Sequence, residues 1–152
     1  MNTFLRDLKR GEQGERAVIN TMISRGHTVE DLTSNKEFFE KDIDFIISGK
    51  TCELKTDYVI GRTGNLFLED YMEYTKDFSR RSGFFNTSEA EFLFYLDAKN
   101  KVLYIYDFEQ LRAYVKENSA FIKRRSCNDG YKVIYGYCLN KDAVNHQTIY
   151  LN

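Results

Sequence analysis

Between Phe4 and about Arg25 the apolar residues Leu5, Leu8, Val18, Ile19, Met22 and Ile23 recur at helical spacing. Thr3 is placed to cap that helix and Gly26 to stop it. The period then shortens. His27 to Leu32 reads as a short strand, and Ile43 to Ser48 and Thr51 to Thr56 are two apolar runs parted by Gly49-Lys50, a hairpin signal. After the polar stretch Gly61-Arg62-Thr63-Gly64 the pattern predicts a strand over Asn65 to Glu69. Asp70 to Ser88 is mixed and charged, which predicts a mobile loop holding one helical turn. Glu91 to Leu96 and Val102 to Tyr106 are strand patterns joined by a loop of ordinary hairpin length. Asp107 to Lys116 predicts a helix with Asp107 as its cap and Leu111, Tyr114 and Val115 on one face. Lys132 to Leu139 and Thr148 to Leu151 close the chain as strands. The order of helix, strands, helix and strands implies an α/β or α+β core with a mixed sheet.

Composition sharpens this picture in a few places. A length of 152 residues fits one domain over residues 1–152, long enough to bury a core without staples. The 12 Phe and 11 Tyr favour strands, and with no Pro the turns fall to the 9 Gly and to Asn, Asp and Ser. Cys52, Cys127 and Cys138 are odd in number and lack metal-site spacing, so they read as reduced thiols of a cytoplasmic protein, with Cys52 in the core. No run has the length or apolarity of a signal core or a membrane span. The net charge of −1 excludes a dedicated nucleic-acid coat protein. It leaves room for a nucleic-acid partner only if an acidic metal site cancels basic residues elsewhere.

The chemistry concentrates in Lys41-Asp42-Ile43-Asp44-Phe45 and Thr51-Cys52-Glu53-Leu54-Lys55-Thr56-Asp57. Side chains alternate along a strand, so Glu53, Lys55 and Asp57 share one face while Cys52 and Leu54 take the other. A hairpin lays Asp44 beside that charged face. Two carboxylates in such proximity need a cation or a proton. Mg²⁺ or Mn²⁺ suits an oxygen site of this kind, and Lys55 would stand beside the attacking water and the phosphate. On the first helix, Glu15 shares the apolar face of Val18, Ile19 and Met22, a costly place for an unpaired carboxylate. The competing reading is a solvated strand face with a cross-strand ion pair, and a first-turn glutamate near solvent.

Asp44 followed by Glu53-Leu54-Lys55 resembles the signature of the PD-(D/E)XK nuclease superfamily, which includes restriction enzymes and Holliday-junction resolvases. Ile43 stands where the family has proline, so Asp42 competes with Asp44 as the ligand. Gly11-Glu12-Gln13-Gly14-Glu15 is similar to the segment that opens the first helix in many of these enzymes, and Thr63 to Glu69 and Ser82 to Phe92 resemble phage-type and resolvase-like members. The resemblance spans roughly Gly11 to Phe108. It implies a restriction-endonuclease-like core, a central mixed β-sheet flanked by α-helices, and Mg²⁺-dependent endonuclease activity on DNA, including branched or junction DNA. The implied roles are metal binding by Asp44 and Glu53, direct or water-mediated support from Glu15, and assistance to hydrolysis by Lys55. Asp42, Asp57 and Glu69 are further acidic candidates. Arg62, Lys76, Arg80, Arg81, Lys123, Arg124 and Arg125 are candidate DNA contacts, since arginine suits bidentate phosphate contact. Enzymes of this fold that cut both strands pair as homodimers, which is the expectation here. The alternative is a nuclease-like module that binds DNA or protein without cutting.

Overall fold

The computed structural model describes the backbone of residues 3–152 and the side chains from residue 5 onward. The chain opens with α1 (Thr3–Ser24), β1 (Val29–Asp31), the single turn α2 (Lys36–Phe39), β2 (Phe45–Ile47), β3 (Lys50–Asp57) and the single turn α3 (Ile60–Thr63). It continues through β4 (Asn65–Tyr74), β5 (Arg80–Ser82), the single turn α4 (Phe84–Thr87), β6 (Phe92–Asp97), β7 (Val102–Asp107) and α5 (Phe108–Asn118). It ends with β8 (Lys123–Asn128), β9 (Lys132–Asn140) and β10 (Gln147–Tyr150).

The strands form two sheets. Six lie in the order β1-β2-β3-β6-β7-β10, with β3 and β6 parallel and the other pairs antiparallel. This is the central mixed sheet that the sequence implies. A second, antiparallel sheet in the order β5-β4-β9-β8 was not foreseen. The β2–β3 hairpin turns on Ser48 and Gly49, both left-handed at φ 47 and 80, the conformation a two-residue turn needs to match strand twist. Left-handed Gly26 ends α1, its N–H reaching the Ile23 carbonyl and that of His27 the Met22 carbonyl. The Asp107 side chain caps α5 by accepting the Gln110 N–H at 3.1 Å.

Alternation along β3 sends its two sets of side chains into different surroundings. Cys52 and Leu54 join Val18, Met22, Phe45, Phe94 and Leu103 in a core beneath α1. On the other face Leu93, Tyr95 and Tyr106 pack with Leu66, Leu68, Phe84 and Leu111, so the second core fills the space between the two sheets, α4 and α5. Tyr95 ties the sheets together: its hydroxyl accepts the Phe67 N–H at 3.0 Å and donates to Asp57 Oδ2 at 2.6 Å. On α5, Arg112 lies over the Phe108 ring at 3.8 Å and donates to the carbonyls of Phe85 and Ser88 at 2.8 and 2.6 Å.

Several expectations need correction. Val18 and Met22 are buried as expected, but Leu5 and Leu8 are exposed because α1 begins before its cover does, and Ile23 because it lies off the buried stripe of Gly14, Val18, Thr21 and Met22. The cap assigned to Thr3 lies outside the described side chains. Asp70 to Ser88 is not a loop with one turn: β4 runs on to Tyr74, β5 pairs back against it, and α4 follows. A register shift between Glu69 and Tyr71 breaks the two-residue alternation there, which hid the strand. The basic run Lys123-Arg124-Arg125 begins edge strand β8, every residue of which is exposed, so it carries no apolar signal.

The two glycines of α1 sit in different surroundings. A Cβ on Gly11 would meet open space. One on Gly14 would run into the Thr56 hydroxyl and lie 3.3 Å from Leu96 Cδ2. Gly11→Ala is expected to raise stability by about 0.5–1 kcal/mol through helix propensity. Gly14→Ala is expected to lower it. Thermal melts that moved both variants in the same direction would show that α1 does not rest on β3 through Gly14.

Candidate active site

Strand β2 pairs with β3 only as far as Phe45 opposite Cys52, and Asp44 N–H still reaches the Cys52 carbonyl at 2.8 Å. Beyond that point β2 leaves the sheet. The Leu54 N–H, which a continuing strand would have satisfied, is met by Asp44 Oδ2 at 2.7 Å. That bond holds the Asp44 carboxylate against β3. Glu53 projects from the opposite face to Leu54 and is only 3 % exposed. Its Oε1 lies 3.1 Å from Lys55 Nζ, while its Oε2 is buried with no hydrogen-bond partner. The Lys55 side chain is about a third exposed and sits 4.3 Å above the Phe84 ring.

Burial sets the electrostatics. It pushes the Glu53 carboxyl well above the usual carboxylate range, and Asp44 and Asp42 add to the rise against the pull of Lys55. Asp44 is raised as well, chiefly by burial, although the Leu54 N–H, Glu53 and Lys55 oppose the shift. Glu15, half-buried on α1, is raised to about 7 by burial, then by Asp44, Asp31 and Glu12. For Lys55 burial acts downward, but Glu53, Glu69 and Asp44 outweigh it, and the ammonium is held above its usual range. The site is therefore short of positive charge: three carboxyls resist ionisation around one ammonium.

Asp44, Glu53 and Lys55 thus come together, and Glu15 lies near enough to feel Asp44. Among the described residues no three Asp, Glu, His or Cys side chains close around one point, so Glu15 does not complete a cage with Asp44 and Glu53. The pair does fit a hard divalent ion. A carboxyl oxygen shut away from water without a hydrogen-bond partner, beside a second carboxyl, is a place where a cation can displace the proton and replace missing hydrogen bonds.

The remaining acidic candidates divide. Asp42, left-handed at φ 49, accepts a hydrogen bond from Thr87 Oγ1, and its carbonyl accepts one from Ser88 Oγ at 2.7 Å. Its charge still acts on Asp44 and Glu53. Asp57 is occupied elsewhere. Its Oδ1 accepts the N–H groups of Val59 and Ile60 at 2.6 and 3.0 Å, and its Oδ2 takes the Tyr95 hydroxyl. Glu69 of β4 lies near enough to Lys55 to act on its charge. Reasoning from the sequence assigned no role to Phe84, Thr87 or Ser88, because the Ser-Gly-Phe-Phe segment carries no charge of its own. His27 bonds Ser48 Oγ at 2.8 Å, and His146 packs against Tyr104 and Tyr106, so neither histidine joins the cluster.

The basic candidates are spread over the surface. Arg62 is on α3, Lys76 lies between β4 and β5, Arg80 and Arg81 are on β5, and Lys123, Arg124 and Arg125 are on β8. Arg80 pairs with Glu73 at 2.9 Å and Arg124 with Asp70 at 2.6 Å.

The acidic, lysine-bearing β2–β3 hairpin thus lies inside a mixed sheet flanked by helices. The chain is structurally similar to the bacterial homing endonuclease I-Ssp6803I, with a TM-score of 0.53 and 13% sequence identity, over 88% of this chain and 78% of that one. The likeness establishes the fold. No protein-family model and no curated relative matches the chain. Among the described residues no helix is long and apolar enough to cross a membrane.

The raised carboxyls give the metal-free protein a distinctive pH response. Folded Glu15 and Glu53 hold protons more tightly than the unfolded chain, so the stability they contribute is complete below about pH 4.5. It is lost as pH climbs, through about 7 for Glu15 and higher for Glu53. In chelator, Tm should fall over that window, and Glu53→Gln should flatten its upper part without destabilising the fold at neutral pH. Melts of the two proteins with the same slope above pH 7 would contradict the assignment.

Proposed function

We propose that this chain is a divalent-metal-dependent endodeoxyribonuclease of PD-(D/E)XK type that hydrolyses DNA phosphodiester bonds. The observation that carries the reading is the partnerless buried oxygen of Glu53 beside Asp44, with the Lys55 ammonium on its other oxygen. A likeness in fold to a homing endonuclease supports it.

In this reading Asp44 and Glu53 hold Mg²⁺ or Mn²⁺, and Glu15 supports the site from α1 through water. The ion supplies electrophilic stabilisation of the charge that builds on the phosphate oxygens. The protein's own groups do the rest. Lys55, kept protonated by its acidic neighbours and braced over Phe84, donates hydrogen bonds toward the phosphate and the entering water. Asp44, fixed by the Leu54 amide, cannot swing away when a phosphate approaches. In-line attack of water on phosphorus forms one P–O bond and breaks the bond to the sugar oxygen; the water gives up a proton to solvent and the departing oxygen takes one from solvent to leave as a hydroxyl. The protein acts as a homodimer on two-fold DNA, with branched or junction DNA included in its substrates.

Plasmid nicking in Mg²⁺ or Mn²⁺ tests this directly, alongside single strands and four-way junctions. The wild-type protein should cut at least one of them, and Glu53→Gln and Asp44→Asn should each lower the rate by 10²-fold or more, an order of magnitude set by loss of charge stabilisation at the phosphate. Either ion should also raise the Tm of the wild-type protein and leave that of Glu53→Gln unmoved. A pure protein that leaves all three substrates intact in Mn²⁺ would instead be a nuclease-like binding module.

A further inference from the structure

We propose that one face of the four-stranded sheet, carrying Arg81, Lys123, Arg125 and Lys132, grips the phosphate backbone of a DNA duplex. The proposal rests on the nuclease reading for the identity of its ligand. Its structural basis is separate from the catalytic cluster.

The register of the sheet sorts the basic residues into two classes. Residues paired across neighbouring strands share a face, and successive residues alternate. Arg80 pairs with Glu73 on β4, and Arg124 with Tyr137 on β9. Both of these arginines fall on one face with Tyr71 and Tyr135. There they are spoken for. Arg80 meets Glu73 and lies 5.1 Å from the Tyr71 ring centre. Arg124 meets Asp70 and lies 4.4 Å from that of Tyr137. The stacked rings of Tyr71 and Tyr135, 4.7 Å apart, fill the space between them.

The opposite face is the reverse. Arg81 pairs with Met72, Lys123 with Cys138, Arg125 with Gly136 and Lys132 with Tyr74, so all four cations fall on it. Among the described residues none of the four meets a carboxylate within ion-pair distance. Among the described residues the only carboxylate that the register puts on this face is Glu69, opposite Gly136. The acids at the hairpin tips, Asp77 and Asp129, are exposed but engaged within their own turns. Asp77 accepts the Ser79 N–H and hydroxyl, and Asp129 the Lys132 N–H.

The dimensions suit a duplex. Outer strands β5 and β8 are three strand spacings apart, about 14 Å. The major groove is about 12 Å wide. Arg81 on one edge and Lys123 and Arg125 on the other can therefore reach phosphates on both sides of a groove. The uncharged Met72, Ile134 and Phe67 lie between them. Gly136 keeps this surface low, since a Cβ there would lie 2.7 Å from the Phe67 ring. Glu69, opposite Gly136 on this face, is near enough for its charge to act on Lys55.

Fluorescence anisotropy with a short blunt duplex of mixed sequence tests the surface, in chelator so that nothing is cut. The triple variant R81Q/K123Q/R125Q should bind about tenfold or more weakly at moderate salt, and its plot of log affinity against log salt should be shallower by about 2 to 3. R81K/R125K, which keeps the charge, should retain the wild-type slope. Arg80→Gln and Arg124→Gln should lower Tm and leave the slope alone. The proposal is overturned if the triple variant keeps wild-type affinity and slope, or if the Arg80 and Arg124 variants flatten the slope as much. It is also overturned if wild-type protein ignores the duplex, whether or not it binds a single strand. Cutting is scored separately: a protein that grips the duplex through this face but hydrolyses nothing would sink the enzymatic reading and leave this one standing.

Discussion

A single amide hydrogen decides the shape of the site. Where β2 leaves the sheet, the Leu54 N–H loses its strand partner and takes the Asp44 carboxylate instead. A buried donor left unmet costs about 1–3 kcal/mol, so this is a tight constraint on Asp44. Asp44 belongs to the departing strand, yet it is pinned to the one that stays. The splitting of the hairpin thus makes room beside β3 and puts an acid into it.

What surrounds that room explains its electrostatics. Glu53 faces the core between the sheets, where it shares surroundings with Leu93 and Tyr95 rather than water. Asp44 stands at the edge of β3 that β2 vacates, and Glu15 comes from α1 on the far face. Acids brought together from two faces of one strand resist ionisation, and Lys55 alone cannot satisfy them. A fold selected only for stability would replace Glu53 with an apolar residue. A buried carboxyl with an unmet oxygen is what the proposed chemistry would account for.

The sequence revealed the parts built from alternation. Cys52 and Leu54 pointing away from Glu53 and Lys55 followed from strand period alone, and the placement of Asp44 followed from the hairpin. Helix α5 was legible because Asp107 is a strong cap and Leu111 and Val115 keep the helical period. The second sheet was hidden for a physical reason. Its strands β5 and β8 are edge strands with exposed polar residues, and the register shift at Asp70 breaks the pattern of β4 in the middle. Leu5 and Leu8 show the opposite error, since apolar spacing says which side of a helix could be buried but not how far its cover extends, and Ile23 lies just off that side. Asp57 looked like a member of the charged face. It has the structural role also expected for it, accepting the Val59 and Ile60 N–H groups at the start of α3 and the distant Tyr95 hydroxyl.

Arg112 gives the helix α5 an influence beyond its own packing. It has no carboxylate partner among the described residues, and burial presses its pKa downward. Its hydrogen bonds go to two carbonyls of the segment that contains Phe84, Thr87 and Ser88, the residues that brace Lys55 and hold Asp42. The guanidinium is therefore a strut between a remote helix and the floor and flank of the cluster. A change in α5 that tilted this strut would be felt at the acids and the ammonium without touching any of them.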